Sequence, residues 1–384
     1  MNFIGTKSIG VKAPLVKKGD DIVDIVVDSV LKATQNKLTY NEIMFGNKEV
    51  TYDLNDKDII GITESVVARS QGNYVTIDDI AENVKSLFGE DAVIDIIEPI
   101  YSRNRFAMIL KGIARGSKKV RILMPMFDEV GNVSYNHPFT GLNYVDYYKD
   151  ICEKEGCEVE IHDNPNYLEH AGKVNFIIST LHESKEEVLE QIMFVPSDED
   201  KIYTLKDLCS DRCEYGLLGS NKSTEDVLKL FPRKSDCIVD GQLINGSDTI
   251  VNEVKSEIKK RTGKDVIVVV YADGCFKDPV GGIWEFADPV SMVSFTDADT
   301  IISTPNELKL KAHIDDYSGD NLENDIKDMI KQKSDMYANM KSMGTTPRLI
   351  RDLVASLMDL TSGSGDKGTP IVLVQNYFNN YATE

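Results

Sequence analysis

Apolar residues in this chain fall into two textures. Compact runs rich in Val and Ile, bounded by polar residues, occur at Asp58 to Thr63, Lys119 to Phe127, Asp265 to Tyr271 and Pro370 to Gln375. Such runs predict buried strands. Asn175 to Ser179 and the β-rich stretch Glu90 to Ile100 add two more. The second texture predicts helices. Ile22 to Val30 and Ile77 to Phe88 carry apolar residues at helical spacing, and Ala107 to Ala114 is an apolar helical stretch. Asn321 to Met343 reads as a long charged helix and Arg348 to Leu360 as another. Asp20-Asp21 and Asp78-Asp79 sit where a helix start favours acid, and Gly89 and Gly116 stand where a helix would stop.

From about Tyr135 to Gly246 the pattern loosens. Charged residues alternate with strands, and Gly, Asn and Ser become frequent. An inserted subdomain is expected there. At 384 residues the chain exceeds one average core, so two domains are the default.

The net charge of -20 argues against a nucleic-acid or anionic-membrane partner, while leaving room for a local basic pocket. No basic start followed by an apolar stretch marks a signal peptide, and no apolar run reaches the ~18 residues of a membrane span. Cys152, Cys157, Cys209, Cys213, Cys237 and Cys275 are therefore expected to be reduced thiols of a cytoplasmic protein. Cys209 and Cys213 have metal-ligand spacing but lack a second pair.

Candidate chemistry gathers at strand ends. Asp273 follows an apolar strand and precedes Gly274. That arrangement either presents a carboxylate to Mg²⁺ or Mn²⁺, or makes a turn in which Asp caps its own backbone. Asp128 stands in the same position after another strand, and Asp20-Asp21 flank a glycine. Thr361 to Gly368, with Gly363, Gly365, Asp366, Lys367 and Gly368, is either a phosphate cradle or a flexible connector; it does not match a P-loop. Ser102-Arg103-Asn104-Arg105 sets two guanidinium groups before a helix, suited to an anion or to neighbouring acids. The five histidines show no nucleophile–base spacing, so a Ser-His-Asp hydrolase is not expected. Trp284 and Phe286 read as core.

Several blocks resemble the γ-glutamyl ligase family that adds glutamate to coenzyme F-420. Ala13 to Asp21, reading Ala-Pro-Leu-Val-Lys-Lys-Gly-Asp-Asp, matches the family's first loop. Asp58 to Gly72 matches its strand-turn block, with Arg69 where the family has Lys. Asp273-Gly274 matches a shorter part of its Asp-Thr-x-Gly-Arg block, without the Thr. Gly363 to Asp366 meets its late glycine loop, with Ser364 in place of a metal-binding Glu and Asp366 as the candidate replacement.

The resemblance implies an α+β fold of mixed sheets with flanking helices, divided into an N-terminal part (1–134), an inserted subdomain (135–250) and a completing part (251–384). It implies a homodimer and GTP-driven, or ATP-driven, amide formation between L-glutamate and a small-molecule carboxylate acceptor. Pro14, Leu15, Val16, Ser65, Arg69, Gly363, Gly365, Asp366 and Gly368 would contact the nucleotide, and Asp128 and Asp273 would hold Mg²⁺ or Mn²⁺. The altered loops leave open a second class, a non-catalytic nucleotide- or anion-binding or regulatory protein on the same scaffold.

Overall fold

Two five-stranded sheets organise the chain. The computed structural model describes residues 5–34, 53–99, 101–103, 105–124, 135–137, 140–162, 175–182, 184–192, 199–218, 220–230, 237–239, 242–244, 247–273, 276–277, 284–285, 290–303, 319, 321–331, 350–363 and 367–379. Its strands are β1 (Lys7–Val11), β2 (Ile59–Thr63), β3 (Tyr74–Thr76), β4 (Val93–Ile97), β5 (Lys119–Leu123), β6 (Glu158–His162), β7 (Phe176–Ser179), β8 (Ile202–Thr204), β9 (Asn221–Thr224), β10 (Val227–Lys229), β11 (Cys237–Val239), β12 (Gln242–Ile244), β13 (Ile267–Asp273), β14 (Phe276–Lys277), β15 (Trp284–Glu285), β16 (Val290–Phe295) and β17 (Ile371–Gln375). Its helices are α1 (Ile22–Thr34), α2 (Glu64–Gln71), α3 (Ile77–Phe88), α4 (Phe106–Gly116), α5 (Tyr144–Lys154), α6 (Lys185–Gln191), α7 (Ser247–Thr262), α8 (Ala298–Ser303), α9 (Leu322–Lys331) and α10 (Ile350–Ser362).

The first sheet has the order β1-β17-β2-β13-β16 and is mixed: β2 and β13 run parallel, and the other pairs are antiparallel. Its central strands are buried on both faces, which is why they read as unbroken apolar runs. Ile60, Ile62, Val268 and Val270 pack on one side with Val26, Val27 and Val30 of α1 and Val251, Val254 and Ile258 of α7. Ile59, Val269, Val372 and Val374 pack on the other with Val354, Ala355 and Met358 of α10. Gly61 leaves the space that the Met358 side chain fills, so any larger residue there would displace it.

The second sheet, β6-β5-β4-β7-β8, is wholly parallel. Helices α3, α4 and α5 pack on one face through Ile80, Ile109, Ile113 and Tyr148, while Val188 within α6 and Ile192 just beyond it join Ile97, Leu123 and Ile177 on the other. This is a doubly wound arrangement, with the winding reversed between β4 and β7. Helices α3 and α4 cross closely, because a Cβ on Gly116 would lie 2.6 Å from the Ala81 carbonyl oxygen. Thus Gly116 belongs to the helix and permits its packing, beyond the stop expected from sequence. Helix α3 starts with a capping box between Thr76 and Asp79.

This parallel sheet includes β4 and β5 from before residue 134 and β6, β7 and β8 from after it, so it crosses the expected boundary at 134/135. The chain leaves through β3 and returns through β10, and these two strands pair directly, with Thr76 opposite Val227 and Tyr74 opposite Lys229. Ile77 N donates to Asp226 O at 3.1 Å and Leu230 N to Asn73 O at 3.0 Å. Adjacent termini of this kind let a unit sit between two neighbouring strands without disturbing them. The reason the region of β6 looked loosely patterned is also visible, and β5, expected as a buried strand, shares its mixed face. Lys119, Arg121, Glu158, Glu160 and His162 share a face that is only partly covered, and Lys119 pairs with Glu160 at 2.6 Å.

Candidate functional site

The mixed sheet has one edge where chemistry converges. Strands β2 and β13 run parallel with Thr63 opposite Tyr271, so both deliver their C-terminal ends there. Strand β1 ends there as well, with Val11 opposite Ile371 at the start of β17. Thr63 N donates to Pro370 O at 3.0 Å. Four expected segments therefore have described parts at this edge: residues 12–21, the start of α2, the end of β13 at Asp273, and Gly363 with 367–370.

Backbone bonds tie three of these segments together. Ala13 N donates to Gly368 O at 3.1 Å, and Gly19 N to Ser70 O at 2.9 Å. Lys17 to Asp20 form a tight turn in which Lys17 N donates to Asp20 Oδ2 at 2.7 Å and Gly19 has φ +87°. Asp21 Oδ1 accepts from Asp24 N at 3.1 Å, at the start of α1. The Asp20-Asp21 pair thus closes a turn and caps a helix.

Gly72 ends α2 in the left-handed region at φ +68°, and a Cβ there would meet the Lys18 stem at 2.7 Å. Lys18 thereby lies across the end of the helix that carries Arg69. Gly363 has the same conformation at φ +62°, and a Cβ there would lie 2.8 Å from Lys367 Nζ. Both glycines are needed for backbone shape and for the approach of a cation.

Among the expected contacts, Pro14 and Leu15 are exposed while Val16 is buried in the core under the loop. Ser65 is half-buried in the first turn of α2, and Arg69, Gly363 and Lys367 are exposed. Gly365, Asp366 and Asp128 lie outside the described residues, and for Asp273 only the backbone is described, at the end of β13 opposite Val290. The strand before Asp128, β5, belongs to the parallel sheet, whereas β13 belongs to the mixed one. Arg103 and Arg105 also lie away from this edge, in the β4–α4 connection of the parallel sheet.

Charge distinguishes this edge. Lys12, Lys17, Lys18, Arg69 and Lys367 have no carboxylate within 4.0 Å among the described residues. Elsewhere cations are commonly paired: Arg115 with Glu155 and Asp78, Arg121 with Asp95, Lys255 with Asp297, and Arg261 with Asp28 and Glu257. Lys17 and Lys18 fall within the first matching loop, where the sequence gives them no role. Their signal is clear only once the fold brings Lys367 and Arg69 to the same edge. Glu64 was missed altogether. It opens α2, is buried, and accepts from Lys229 Nζ of β10 at 2.5 Å, which joins the returning strand to the site.

One other expectation resolves in packing. Cys209 and Cys213 are buried core residues, and burial pushes the Cys209 thiol up to about 12. Among the described residues no group of three His, Cys, Asp or Glu could hold a metal ion. At the opposite edge of the mixed sheet, Asp58 is buried and accepts from Gln375 Nε2 and Asn55 N, at 2.7 and 2.8 Å. Burial raises its pKa above the usual carboxylate range, against these hydrogen bonds. No described helix is long and apolar enough to cross a membrane.

Comparison with known proteins gives an uneven picture. No functionally characterised protein sequence matches. Among solved structures, eIF2B beta from Chaetomium thermophilum aligns at 15% identity over 30% of this chain and 32% of that chain, with a TM-score of 0.19. The tetrameric eIF2B-beta2-delta2 complex from C. thermophilum aligns at 13% identity over 27% and 31%, also with a TM-score of 0.19. The chain spans about a third of the length of these structures, and likeness at this level carries no argument. The model of the F420-0:gamma-glutamyl ligase family, in contrast, matches residues 10–376, which contain both sheets and every segment of the convergent edge. The chain belongs to the F420-0:gamma-glutamyl ligase family.

Proposed function

We propose that the chain is a nucleotide-dependent amide ligase of the γ-glutamyl type, joining L-glutamate to a small-molecule carboxylate. The observation that carries this reading is the group of five uncompensated cations on one loop edge of a chain with net charge -20. Exposed unpaired cations gathered on one edge are tolerated in water and attract counter-charge from outside. A triphosphate supplies it. Lys12, Lys17, Lys18, Arg69 and Lys367 surround the phosphates, and Ser65 at the start of α2 offers a hydroxyl beside free helix N–H groups. Backbone groups of Pro14 to Val16 and of Gly363 to Gly368 line the rest.

The donor set fits GTP or ATP. Bound nucleotide supplies the phosphoryl group that activates the acceptor carboxylate for attack by the glutamate amine. The chain's cations hold that phosphoryl group in place and neutralise charge on the departing diphosphate. Mg²⁺ or Mn²⁺ would be held by Asp273 at the end of β13, with Asp128 and Asp366 as further candidates. The proposed setting is a homodimer in the cytoplasm.

The test is a thermal-shift titration with GTP and with ATP, with and without Mn²⁺, on wild type, Arg69→Gln and Asp273→Asn. Nucleotide at a hundred times its dissociation constant should stabilise the native state by about 2.7 kcal/mol. Loss of that shift in Arg69→Gln, with unchanged stability of the unliganded variant, supports the reading. Absence of any shift in wild type with either nucleotide overturns it.

A further inference from the structure

The nucleotide reading leaves unused the arginines before α4 and a buried polar cluster beside them in sequence and topology. Strand β4 ends at Ile97 and is followed by Glu98, which is nine-tenths buried and has φ +54°. Neighbouring β7 ends at Ser179 and is followed by Thr180 and His182, all almost wholly buried. These two strands are the ones between which the winding of the parallel sheet reverses. In doubly wound sheets the helical connections depart to opposite faces at that point, and the crevice between them receives ligands.

The cluster brings three polar side chains together. Ser179 Oγ lies 2.7 Å from His182 Nδ1, and Glu98 Oε2 lies 3.1 Å from the same nitrogen. Thr180 Oγ1 donates to the Glu98 carbonyl oxygen, which fastens the two strand ends together. Among the described residues, Glu98 Oε2 is buried yet takes part in no hydrogen bond. His182 Nδ1 is engaged by Ser179 Oγ, and His182 Nε2 has no hydrogen-bond partner among the described residues, although the residue is only 4% exposed. A histidine fixed through one ring nitrogen holds the other ready for a hydrogen bond with a ligand.

Arg103 lies in the connection that leaves β4 at this end of the sheet. It is exposed and has no carboxylate within 4.0 Å among the described residues. Ser102 N donates to Tyr148 OH at 2.9 Å, which anchors this connection to α5. A cleft of about 460 Å³ lined by Phe88, Asp91 and Asn175 lies at the opposite, N-terminal edge of the sheet and is a separate feature.

We infer that the parallel-sheet unit has a ligand site of its own at the β4/β7 reversal. It takes a small organic acid, either a phosphate or a carboxylate. Arg103 receives the acid group, and His182 Nε2 makes a hydrogen bond with the ligand. The site stands on a different sheet from the proposed nucleotide edge and does not depend on that reading.

The test uses full-length protein with ¹⁵N-labelled histidine, recording long-range ¹H–¹⁵N imidazole spectra, with His182 assigned through His182→Gln. One arm titrates inorganic phosphate and the other L-glutamate. A saturable shift of the His182 ring nitrogens is expected in at least one arm, and which arm responds identifies the acid. The midpoint should move about tenfold higher in Arg103→Gln. It should be unchanged in Arg69→Gln, which alters only the nucleotide edge. A His182 signal unmoved in both arms overturns the inference. So does a shift that disappears in Arg69→Gln, or one that Arg103→Gln leaves untouched.

Discussion

The two sheets handle charge in opposite ways. Within the strands of the parallel sheet, Arg121 is matched inside the fold: it meets buried Asp95 through two bonds of 2.8 and 2.5 Å, and Asn175 Nδ2 adds a third to that carboxylate at 2.8 Å. At the loop edge of the mixed sheet, five cations stand without a carboxylate among the described residues. Matched charge is a structural device, because an unpaired ion in a low-dielectric setting is costly. Unmatched charge at exposed loops is tolerable in water and becomes useful when an anion arrives. The comparison separates residues whose loss unfolds the chain from residues whose loss empties a site.

The sharpest way to break this comparison is Arg121→Met. It strands the Asp95 carboxylate, which is fully buried, and should cost about 3–5 kcal/mol of unfolding free energy by urea denaturation. If stability changes little, the pair is not the structural element described. Gly72→Ala is next. A side chain at φ +68° that also collides with Lys18 should cost on the order of 1–3 kcal/mol and weaken GTP binding, because the 12–21 loop loses its seat. Calorimetric titration beside denaturation measures both effects. Lys367→Gln should leave stability within about 0.5 kcal/mol, as expected of an exposed side chain. It should weaken GTP binding roughly tenfold, with a shallower salt dependence.

The smallest expected effect concerns Asp58 and pH. Its folded pKa lies above the usual value of about 3.9, so the native state holds this proton more tightly than the unfolded chain. Its contribution to stability is therefore present at acid pH and is lost as pH rises from the unfolded value through the folded one. Asp58→Asn should remove that fall and flatten the stability curve across this window. A curve with unchanged slope in thermal melts from acid to neutral pH would contradict the burial argument.

Much of the fold was legible in the chain. Ile77–Phe88 was bounded correctly because its apolar spacing, acidic first turn and terminal glycine agree. The β2, β13 and β17 strands were legible because both of their faces are buried. The parallel sheet was harder. Strands β5 and β6 alternate charge with apolar residues on a partly covered face, a pattern that does not identify their neighbours. At the site, the loop with Pro14 to Val16 and the position of Arg69 were found by resemblance, while Lys12, Lys18, Glu64 and His182 were not singled out. Each carries meaning only through a neighbour far away in sequence: Glu64 through Lys229, and His182 through Glu98.

The sequence by itself determined local matters. Side-chain periodicity, β-branched runs, glycine positions and helix-start acids act over a few residues, and they set where strands and helices form. It also carried the family, because ordered blocks survive along a chain. Only the tertiary structure decided that 77–226 loops out between paired strands β3 and β10, that β4 and β7 meet at a reversal of winding, and that five cations share one edge. Strand pairing and charge compensation join residues through space, and their energies depend on distance and burial that the linear pattern does not contain.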